Sequence, residues 1–183
     1  MEYRRKRGSY PVDRAVLGYL LEGEHHGYEL SERLSSGLGP LWRIAPSQLY
    51  SVLHRMEGEG MISCRVEPQG GRPPRRIYRI LAKGERAFWA WVTSPVRPLR
   101  NIRVEFLAKV YFLRRLSPEK IPALIDAELE ALGELADRLA NARVESDDGR
   151  FGEIVVSFRQ SQVSSVIGWL RENRKLLEKE EIK

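Results

Sequence analysis

The residues best suited to chemistry lie on a short helix that the sequence predicts between Pro46 and Gly60. Apolar residues recur at helical spacing on one side of this segment, which predicts a buried face. The other side carries polar side chains, namely Ser47, Gln48, Ser51, His54 and Arg55, with Tyr50 on the flank. Glutamine can bind adenine through two hydrogen bonds, and serine can donate or accept. We therefore expect the first turn to read or abut DNA bases, and His54 and Arg55, one turn later, to contact phosphates.

An arginine-rich hairpin tip follows this helix. Residues 61–66 and 77–81 alternate as strands do, and the two glycines and two prolines between them favour a turn. Arg72, Arg75 and Arg76 occupy that turn, and the planar guanidinium group suits phosphate oxygens or a narrow minor groove. A polar-faced helix followed by a basic hairpin is typical of a winged helix-turn-helix, whose helix enters the major groove of double-stranded DNA.

Charge is distributed unevenly along the 183 residues. Residues 1–100 contain 17 Lys and Arg against 10 Asp and Glu, whereas residues 101–183 contain 14 against 15. The basic excess lies in the half with the helix and hairpin, which indicates a polyanionic partner; a basic, merely solvated face gives the same count. The basic N-terminal run Arg4, Arg5, Lys6 and Arg7 fits a flexible arm on DNA or a tail without a role.

Other classes of protein find little support in the sequence. Nucleotide-binding, hydrolase and metalloprotease motifs are absent, so we do not expect an enzyme or a cofactor. The adjacent His25 and His26 point to different sides of a helix, so no metal site is expected. The single cysteine, Cys64, cannot form an intrachain disulfide and fits a reducing cytoplasm. No run of 18 apolar residues is present, so a membrane span is not expected.

The remaining patterns predict a mainly α (α+β) fold in two domains. Helices are expected from Pro11 and from Gly27, with Tyr28, Leu30 and Leu34 inward on the second, and a further helix follows the hairpin. Prolines at positions 95 and 98 mark a boundary. We therefore expect a winged helix-turn-helix with a two-stranded wing in residues 1–94, and a dimerisation domain of long helices in residues 95–183.

The C-terminal helices carry wide apolar stripes, and the same chain offers few other elements that could cover them. A second copy of the chain is the simplest cover, which predicts a homodimer; the alternative is that these helices close on each other and on the N-terminal domain. Aromatic residues could line an effector pocket between the domains, or could be ordinary core and interface residues. They are Trp89, Tyr111, Phe112, Phe158 and Trp169.

The ordered set of segments resembles the PadR family of bacterial transcriptional regulators, in the form with a long helical C-terminal domain. The resemblance is carried by His-Gly-Tyr-Glu-Leu at 26–30, by the helix and its exit at 46–62, by the basic hairpin at 71–80 and by residues 98–112. It implies a homodimer that binds a near-palindromic operator, usually as a repressor. In some members a phenolic or other small ligand releases the DNA.

The chain departs from the family pattern at two helix starts. Ala82 stands where the family tends to place threonine, and Ala45 stands where a capping serine often precedes the proline. A lost cap costs about 1 kcal/mol locally. Neither position lies on the expected DNA face, so the expected function is unaffected. A different class of function also fits the pattern: a winged-helix scaffold that binds an acidic protein and shows no salt-steep DNA affinity.

Overall fold

The computed structural model describes residues 11–69, 72–141 and 149–179 of the chain. This part of the chain is mainly helical with one small sheet, as the sequence predicts. Its α-helices are α1 (Val12–Glu22), α2 (Gly27–Gly37), α3 (Pro46–Gly58), α4 (Ala82–Val92), α5 (Ile102–Leu116), α6 (Ile121–Ala140) and α7 (Gly149–Glu178). The strands are β1 (His25–His26), β2 (Ile62–Gln69) and β3 (Arg72–Ile80). Short 3-10 turns at Leu99–Asn101 and Pro118–Lys120 lead into α5 and α6.

Helix α1 is the centre of the N-terminal half. It is buried almost all round, with Val16 and Leu17 fully enclosed, and it contacts α2, α3, α4 and α5. Leu30 and Leu34 of α2 are buried, as predicted. The prediction for Tyr28 is wrong, because this side chain is 68% exposed. Tyr28 lies two residues before Leu30, which places it on nearly the opposite side of the helix.

The sheet has three antiparallel strands in the order β1-β3-β2, where only two strands were expected. The added strand is the short β1, which pairs with β3 at Tyr78 and Ile77. Beyond that pairing no other strand of the described residues pairs with the outer edge of β3, which explains how Pro73 and Pro74 are accommodated within the strand. The hairpin of β2 and β3 therefore reaches further than the sequence predicts, and it forms the wing.

The exit from α3 sets the direction of the wing. Gly60 adopts a left-handed backbone conformation (φ 66°), which favours glycine because it carries no Cβ. The backbone N–H of Met61 then donates to the carbonyl of Met56 (2.9 Å) and closes the last turn. Ile62 is buried directly afterwards, so the first residue of β2 is anchored in the core beside α3.

An ion-pair cluster joins the N-terminal elements to the C-terminal helices. The carboxylate of Glu22, at the end of α1, accepts hydrogen bonds from Arg33 of α2 (3.0 Å) and from Arg115 of α5 (2.6 Å). Nearby, the hydroxyl of Tyr19 lies 3.2 Å from that of Tyr111. Helices α1, α2 and α5 therefore share one polar junction, in addition to their apolar core.

Helices α6 and α7 pack along each other in the C-terminal half. Val163, Leu170 and Leu177 of α7 recur every seven residues and are buried, which gives this helix one continuous inward edge. A different side of α7 carries large apolar residues that are exposed, namely Phe151, Ile154, Phe158, Trp169 and Leu176. We call these five residues the α7 stripe. No helix in the described part of the chain is long and apolar enough to cross a membrane.

Candidate nucleic-acid interface

Helix α3 exposes a polar face to solvent, and its opposite side is held in the core. Leu49, Leu53 and Met56 point into the core and are almost fully buried, so the orientation of the helix is fixed. The residues expected to contact DNA lie on the other side: Ser47, Gln48, Tyr50, Ser51 and His54 are exposed, and Arg55 is half-buried. We call this surface the α3 face. Its small polar side chains can approach a duplex closely and can exchange water for base edges or phosphates.

The start of α3 is open to a ligand. Ala45 caps the helix without a side-chain hydrogen bond, and Pro46 occupies the first turn. Backbone N–H groups at an uncapped helix start, together with the helix dipole, favour a phosphate group. Ala45 has no side chain that competes for these N–H groups, but Pro46 has no N–H and that of Gln48 already donates to the carbonyl of Ala45 (3.0 Å).

Two hydroxyl-bearing residues on the α3 face are constrained by their neighbours. The hydroxyl of Ser51 donates to the carbonyl of Ser47 (2.9 Å), so its oxygen is left as an acceptor for an outside partner. Tyr50 is 48% exposed, and its ring lies against Gly27 at the start of α2. A Cβ on Gly27 would be 2.9 Å from Cε1 of that ring, so this glycine allows Tyr50 its position.

The wing brings arginines beside the end of α3. Arg76 forms an ion pair with Glu57 of α3 (2.8 Å), and its guanidinium lies over the ring of Tyr78 (5.8 Å to the centroid). Arg75 is exposed on the adjacent position of the strand. Arg72 begins β3, and its side chain lies outside the described residues. The wing is therefore tied to α3 through Arg76, while Arg75 faces solvent.

Two further basic residues bear on this surface and were not singled out from the sequence. Arg43 is exposed in the turn before α3, and it lines a cavity of about 440 Å³ between α2 and α3. A basic residue three positions before the helix-starting proline was the available signal. Arg65 of β2 forms ion pairs with Glu24 (3.0 Å) and Glu67 (2.9 Å). Its charge is partly neutralised within the chain, so Arg43 is the stronger addition to the interface.

The structure divides the five aromatic residues that were predicted to line a pocket. Phe112 is fully buried and makes an edge contact with Tyr111, with 5.2 Å between the ring centroids. Trp89 joins the same cluster through Phe88 (5.5 Å). Phe158 and Trp169 belong instead to the α7 stripe, which is exposed. Among the described residues, no group of three or more His, Cys, Asp or Glu side chains is placed to hold a metal ion.

Comparison with known proteins places the chain in a family. Residues 16–90 match the family model described as "Transcriptional regulator PadR-like family". The chain is 32% identical over 92 residues to the transcriptional regulator Rv3488 of Mycobacterium tuberculosis, an alignment that covers 50% of this chain and 78% of that protein. The chain belongs to the PadR-like family. Helix α3 has Ala45 as its N-cap without a side-chain hydrogen bond, as that departure from the family pattern implies, whereas the N-cap of α4 is Leu81, so Ala82 is the first residue of that helix and not its cap.

Bacillus subtilis PadR is matched in both the sequence and the structure comparison. The negative transcriptional regulator PadR of Bacillus subtilis is 28% identical over 116 residues, which cover 63% of this chain and 64% of that protein. The aligned part is thus just under two thirds of that relative. The crystal structure of Bacillus subtilis PadR in complex with operator DNA has a TM-score of 0.47 at 22% identity, with 91% of this chain and 99% of that chain covered.

Proposed function

We propose that this PadR-like regulator binds a near-palindromic DNA operator as a homodimer and acts as a repressor. Residues 1–94 form the DNA-binding domain and residues 95–183 the dimerisation domain. The observation that carries the proposal is the α3 face: an exposed row of small polar side chains on a helix fixed by a buried apolar edge, with arginines beside it. This is the arrangement that a recognition helix and a wing require.

The homodimer rests on the α7 stripe. Phe151, Ile154 and Phe158 are each 59–63% exposed on one side of α7. Contiguous exposed apolar residues on a single helix face are typical of protein–protein interfaces. A second copy of α7 buries them, and the resulting twofold axis presents two α3 faces to two half-sites. A near-palindromic operator follows from that symmetry.

Repression and ligand response complete the proposal. The Bacillus subtilis relative is named a negative transcriptional regulator, which supports repression as the direction of control. A phenolic or other aromatic effector that binds the C-terminal half releases the DNA by altering how that half sits on α1 and α2. The shared junction at Glu22, which receives Arg33 and Arg115, offers a route for such a change.

Two substitutions test whether the α3 face and the wing play different roles. Gln48→Ala removes a base-reading side chain, so we expect about 1–3 kcal/mol of lost discrimination between an operator and a scrambled fragment. Arg75→Ala removes a phosphate contact, so affinity falls for both DNAs and the salt slope decreases by about one. Gel-shift titrations at several salt concentrations measure both effects, on a fragment selected from the source genome.

Arg171→Ala serves as the matched control, because Arg171 is an exposed arginine on α7, away from the α3 face. It should leave affinity and salt slope unchanged. Equal effects of Gln48→Ala and Arg75→Ala on both DNAs would defeat the assignment of roles. An affinity that does not respond to salt would instead favour the protein-binding scaffold.

A further inference from the structure

An ion pair at the end of α1 connects that helix to α5. Glu22 is the last residue of α1, and its side chain is only 15% exposed. The guanidinium of Arg115 on α5 donates to both carboxylate oxygens, from Nε to Oε1 (2.6 Å) and from Nη2 to Oε2 (2.8 Å). We call this the Glu22–Arg115 pair. Its two parallel hydrogen bonds hold the carboxylate and the guanidinium in one relative orientation.

The surroundings of the Glu22–Arg115 pair strengthen it. The guanidinium of Arg115 also lies over the ring of Tyr111, one helical turn earlier on α5, at 5.5 Å from the centroid. The hydrogen bonds to Glu22 raise the pKa of Arg115. An ion pair with a partly buried member is screened less by salt than a pair in open solvent. The pair therefore constrains its two helices more than an exposed ion pair would.

Helices α1 and α5 are in close contact at Gly18 and Phe112, about one turn before the Glu22–Arg115 pair. A Cβ on Gly18 would be 2.5 Å from Cε1 of the Phe112 ring, so the close approach requires glycine. The same ring makes an edge contact with Tyr19, with 5.2 Å between the centroids. Apolar contact has no preferred direction, whereas a hydrogen bond requires one. The apolar contact therefore sets the distance between the two helices, and the Glu22–Arg115 pair fixes their angle.

Helices α2 and α3 are fastened to α1, so they follow any change in that angle. Glu22 also accepts from Arg33 of α2 (3.0 Å), and the hydroxyl of Tyr19 donates to the carbonyl of Arg33 (2.7 Å). Leu49 and Leu53 are buried and hold α3 in the core against α1. The α3 face therefore turns together with α1.

A second group of hydrogen bonds holds α4 on α5, and it is buried. The indole N–H of Trp91 donates to Glu105 (2.7 Å), and Lys109 donates to the carbonyl of Ser94 (2.6 Å). Glu105 and Lys109 precede Arg115 on α5 by about three and two helical turns. The N-terminal half is thus held at two levels along α5. The Glu22–Arg115 pair is the level nearer the surface, so it can be removed without opening the core.

Helix α5 is joined in turn to α7, which carries the α7 stripe. Arg114 donates to the carbonyl of Leu176 (3.4 Å), and Phe106 and Leu170 line the same groove between the two helices. The angle between α1 and α5 therefore decides where the α3 face lies relative to the α7 stripe. In a dimer formed through the stripe, the same angle decides the separation of the two α3 faces.

We propose that Glu22 and Arg115 are positioning residues that set the half-site spacing accepted by the homodimer. One base pair of spacer moves a half-site by about 3.4 Å and rotates it by about 35° round the DNA, so a small change of helix angle changes the spacer that fits. Loss of the pair leaves the angle less constrained and allows several spacers to be bound. This inference rests on the operator binding and the homodimer proposed above.

Gel-shift titrations of the full chain against DNAs of different spacer length test this role. The selected operator fragment is compared with versions whose half-sites are one or two base pairs closer or further apart. Because both half-sites must be engaged at once, the parent chain should lose at least about tenfold in affinity for each altered spacer. Glu22→Gln and Arg115→Gln should each reduce that loss to about threefold or less, since a less constrained dimer can still engage both half-sites.

The two variants change the net charge in opposite directions, which separates positioning from general attraction to DNA. Glu22→Gln removes a negative charge and Arg115→Gln a positive one, so a charge effect on affinity should differ in sign, whereas relaxed spacing should be common to both. Asp126→Asn is the matched control, because it removes an ion pair with Arg174 that joins α6 to α7. An unchanged spacer preference in the two variants, or an equal relaxation in the control, would overturn the proposal.

A distance measurement without DNA shows whether the Glu22–Arg115 pair fixes the angle. Spin labels are attached at His54→Cys on α3 and Arg171→Cys on α7, in a chain that also carries Cys64→Ser. Dilution with unlabelled chain restricts the recorded distances to those within one chain. We expect a broader distance distribution when Arg115→Gln is added, and the same distribution as in the parent when Asp126→Asn is added. Equal widths in all three would overturn the proposal.

Failure of this inference can be distinguished from failure of the regulator. A parent chain that does not prefer the operator over scrambled DNA would refute the proposed function, and the spacing role with it. A selective parent whose variants keep its spacer preference would refute only the role of the Glu22–Arg115 pair. Thermal unfolding shows whether each variant is folded. If Glu22→Gln, which also loses Arg33, is unfolded, Arg115→Gln decides alone, because that side chain is 43% exposed.

Discussion

The α3 face and the α7 stripe are both exposed sides of a helix whose other side is buried, yet their chemistry is opposite. The α3 face consists of serine, glutamine, tyrosine, histidine and arginine side chains, whereas the α7 stripe consists of phenylalanine, isoleucine, tryptophan and leucine. Polar groups lose little when they stay in water between binding events. Large apolar groups gain free energy whenever they are covered, at roughly 25 cal/mol per Å². One surface therefore suits reversible contact, and the other suits a lasting one.

The helices that carry the two surfaces also differ in how many other elements pack against them. Helix α3 is held by α1, α2 and β2, so its exposed face is rigid before any partner arrives. Helix α7 packs chiefly on α6. A rigid face suits specific reading of bases, since a displaced side chain loses its hydrogen bonds. We propose that the long helix α7, which has one main partner in the described part of the chain, is completed by a second copy of itself.

The largest effect is expected from a charge in the α7 stripe. Phe158→Glu places a carboxylate where an apolar side chain is 63% exposed in the single chain and where we propose that a second copy covers it. Burying an unpaired charge is strongly unfavourable, so dimer affinity should fall by about 100-fold or more. Sedimentation equilibrium measures it directly, and operator affinity should fall with it.

Ser157→Glu is the matched control for this change. Ser157 is also exposed and adds the same charge one residue earlier, about 100° away round the helix. It should leave the dimer intact. If Phe158→Glu also remains a dimer, the α7 stripe is not the interface. The stripe would then not be a surface for lasting contact, as opposed to the α3 face.

The elements that were predicted correctly carry their signals locally. The α3 segment shows its apolar edge, its starting proline and its closing glycine within fifteen residues. Strand β1 could not be found in this way, because two histidines have no periodicity and are a strand only through pairing with β3, about fifty residues later. The exposure of Tyr28 was open to prediction, since its helical angle relative to Leu30 is fixed by the sequence.

An intermediate effect should follow from a change beneath Tyr50. Gly27→Ala brings a methyl group to within 2.9 Å of the Tyr50 ring, so the ring must move across the α3 face. Alanine is favoured over glycine in a helix by up to about 1 kcal/mol, so stability should change little. Operator affinity should fall about three- to tenfold, because we propose that Tyr50 abuts the bases. Gel shifts and thermal unfolding of the same preparation separate the two quantities.

Gly58→Ala is the corresponding control in α3 itself. Its added methyl group would meet no atom within 4 Å, so DNA affinity should stay unchanged. Equal DNA affinities of both glycine variants would mean that the position of Tyr50 does not matter. The α3 face would then depend on its polar side chains alone.

Glu128 is a buried charged residue whose surroundings the sequence did not predict. The apolar residues of α6 include Leu124, Ile125 and Leu132, and position 128 falls between them on the same side of the helix. A glutamate in that place is predicted to be buried by spacing alone. The partner of its Oε2 was not predictable, because the backbone N–H of Val96 comes from a segment 32 residues earlier. The sequence instead predicted a possible pocket among the aromatic residues.

The smallest expected effect concerns pH and again sets the two halves apart. His25 is buried beside α2, and burial, together with the positive charge of Arg33, lowers its pKa; the carboxylate of Glu29 opposes this shift (3.6 Å). As pH falls below about 6.5, the unfolded chain takes up a proton that the folded chain refuses, so stability is lost on acidification. Burial raises the pKa of Glu128 in the C-terminal half, so its contribution has the opposite sign and stability rises as pH falls.

His25→Gln should therefore flatten the loss of thermal stability between about pH 7.5 and 5.5, by a few degrees at most. His26→Gln, at the adjacent and less buried position, should keep the slope of the parent chain. Melting temperatures across this range, recorded for all three proteins, give the comparison. An unchanged slope in His25→Gln would mean that the imidazole of His25 is solvated in the folded chain as it is in the unfolded chain. The loss of stability in acid would then come from a group other than His25.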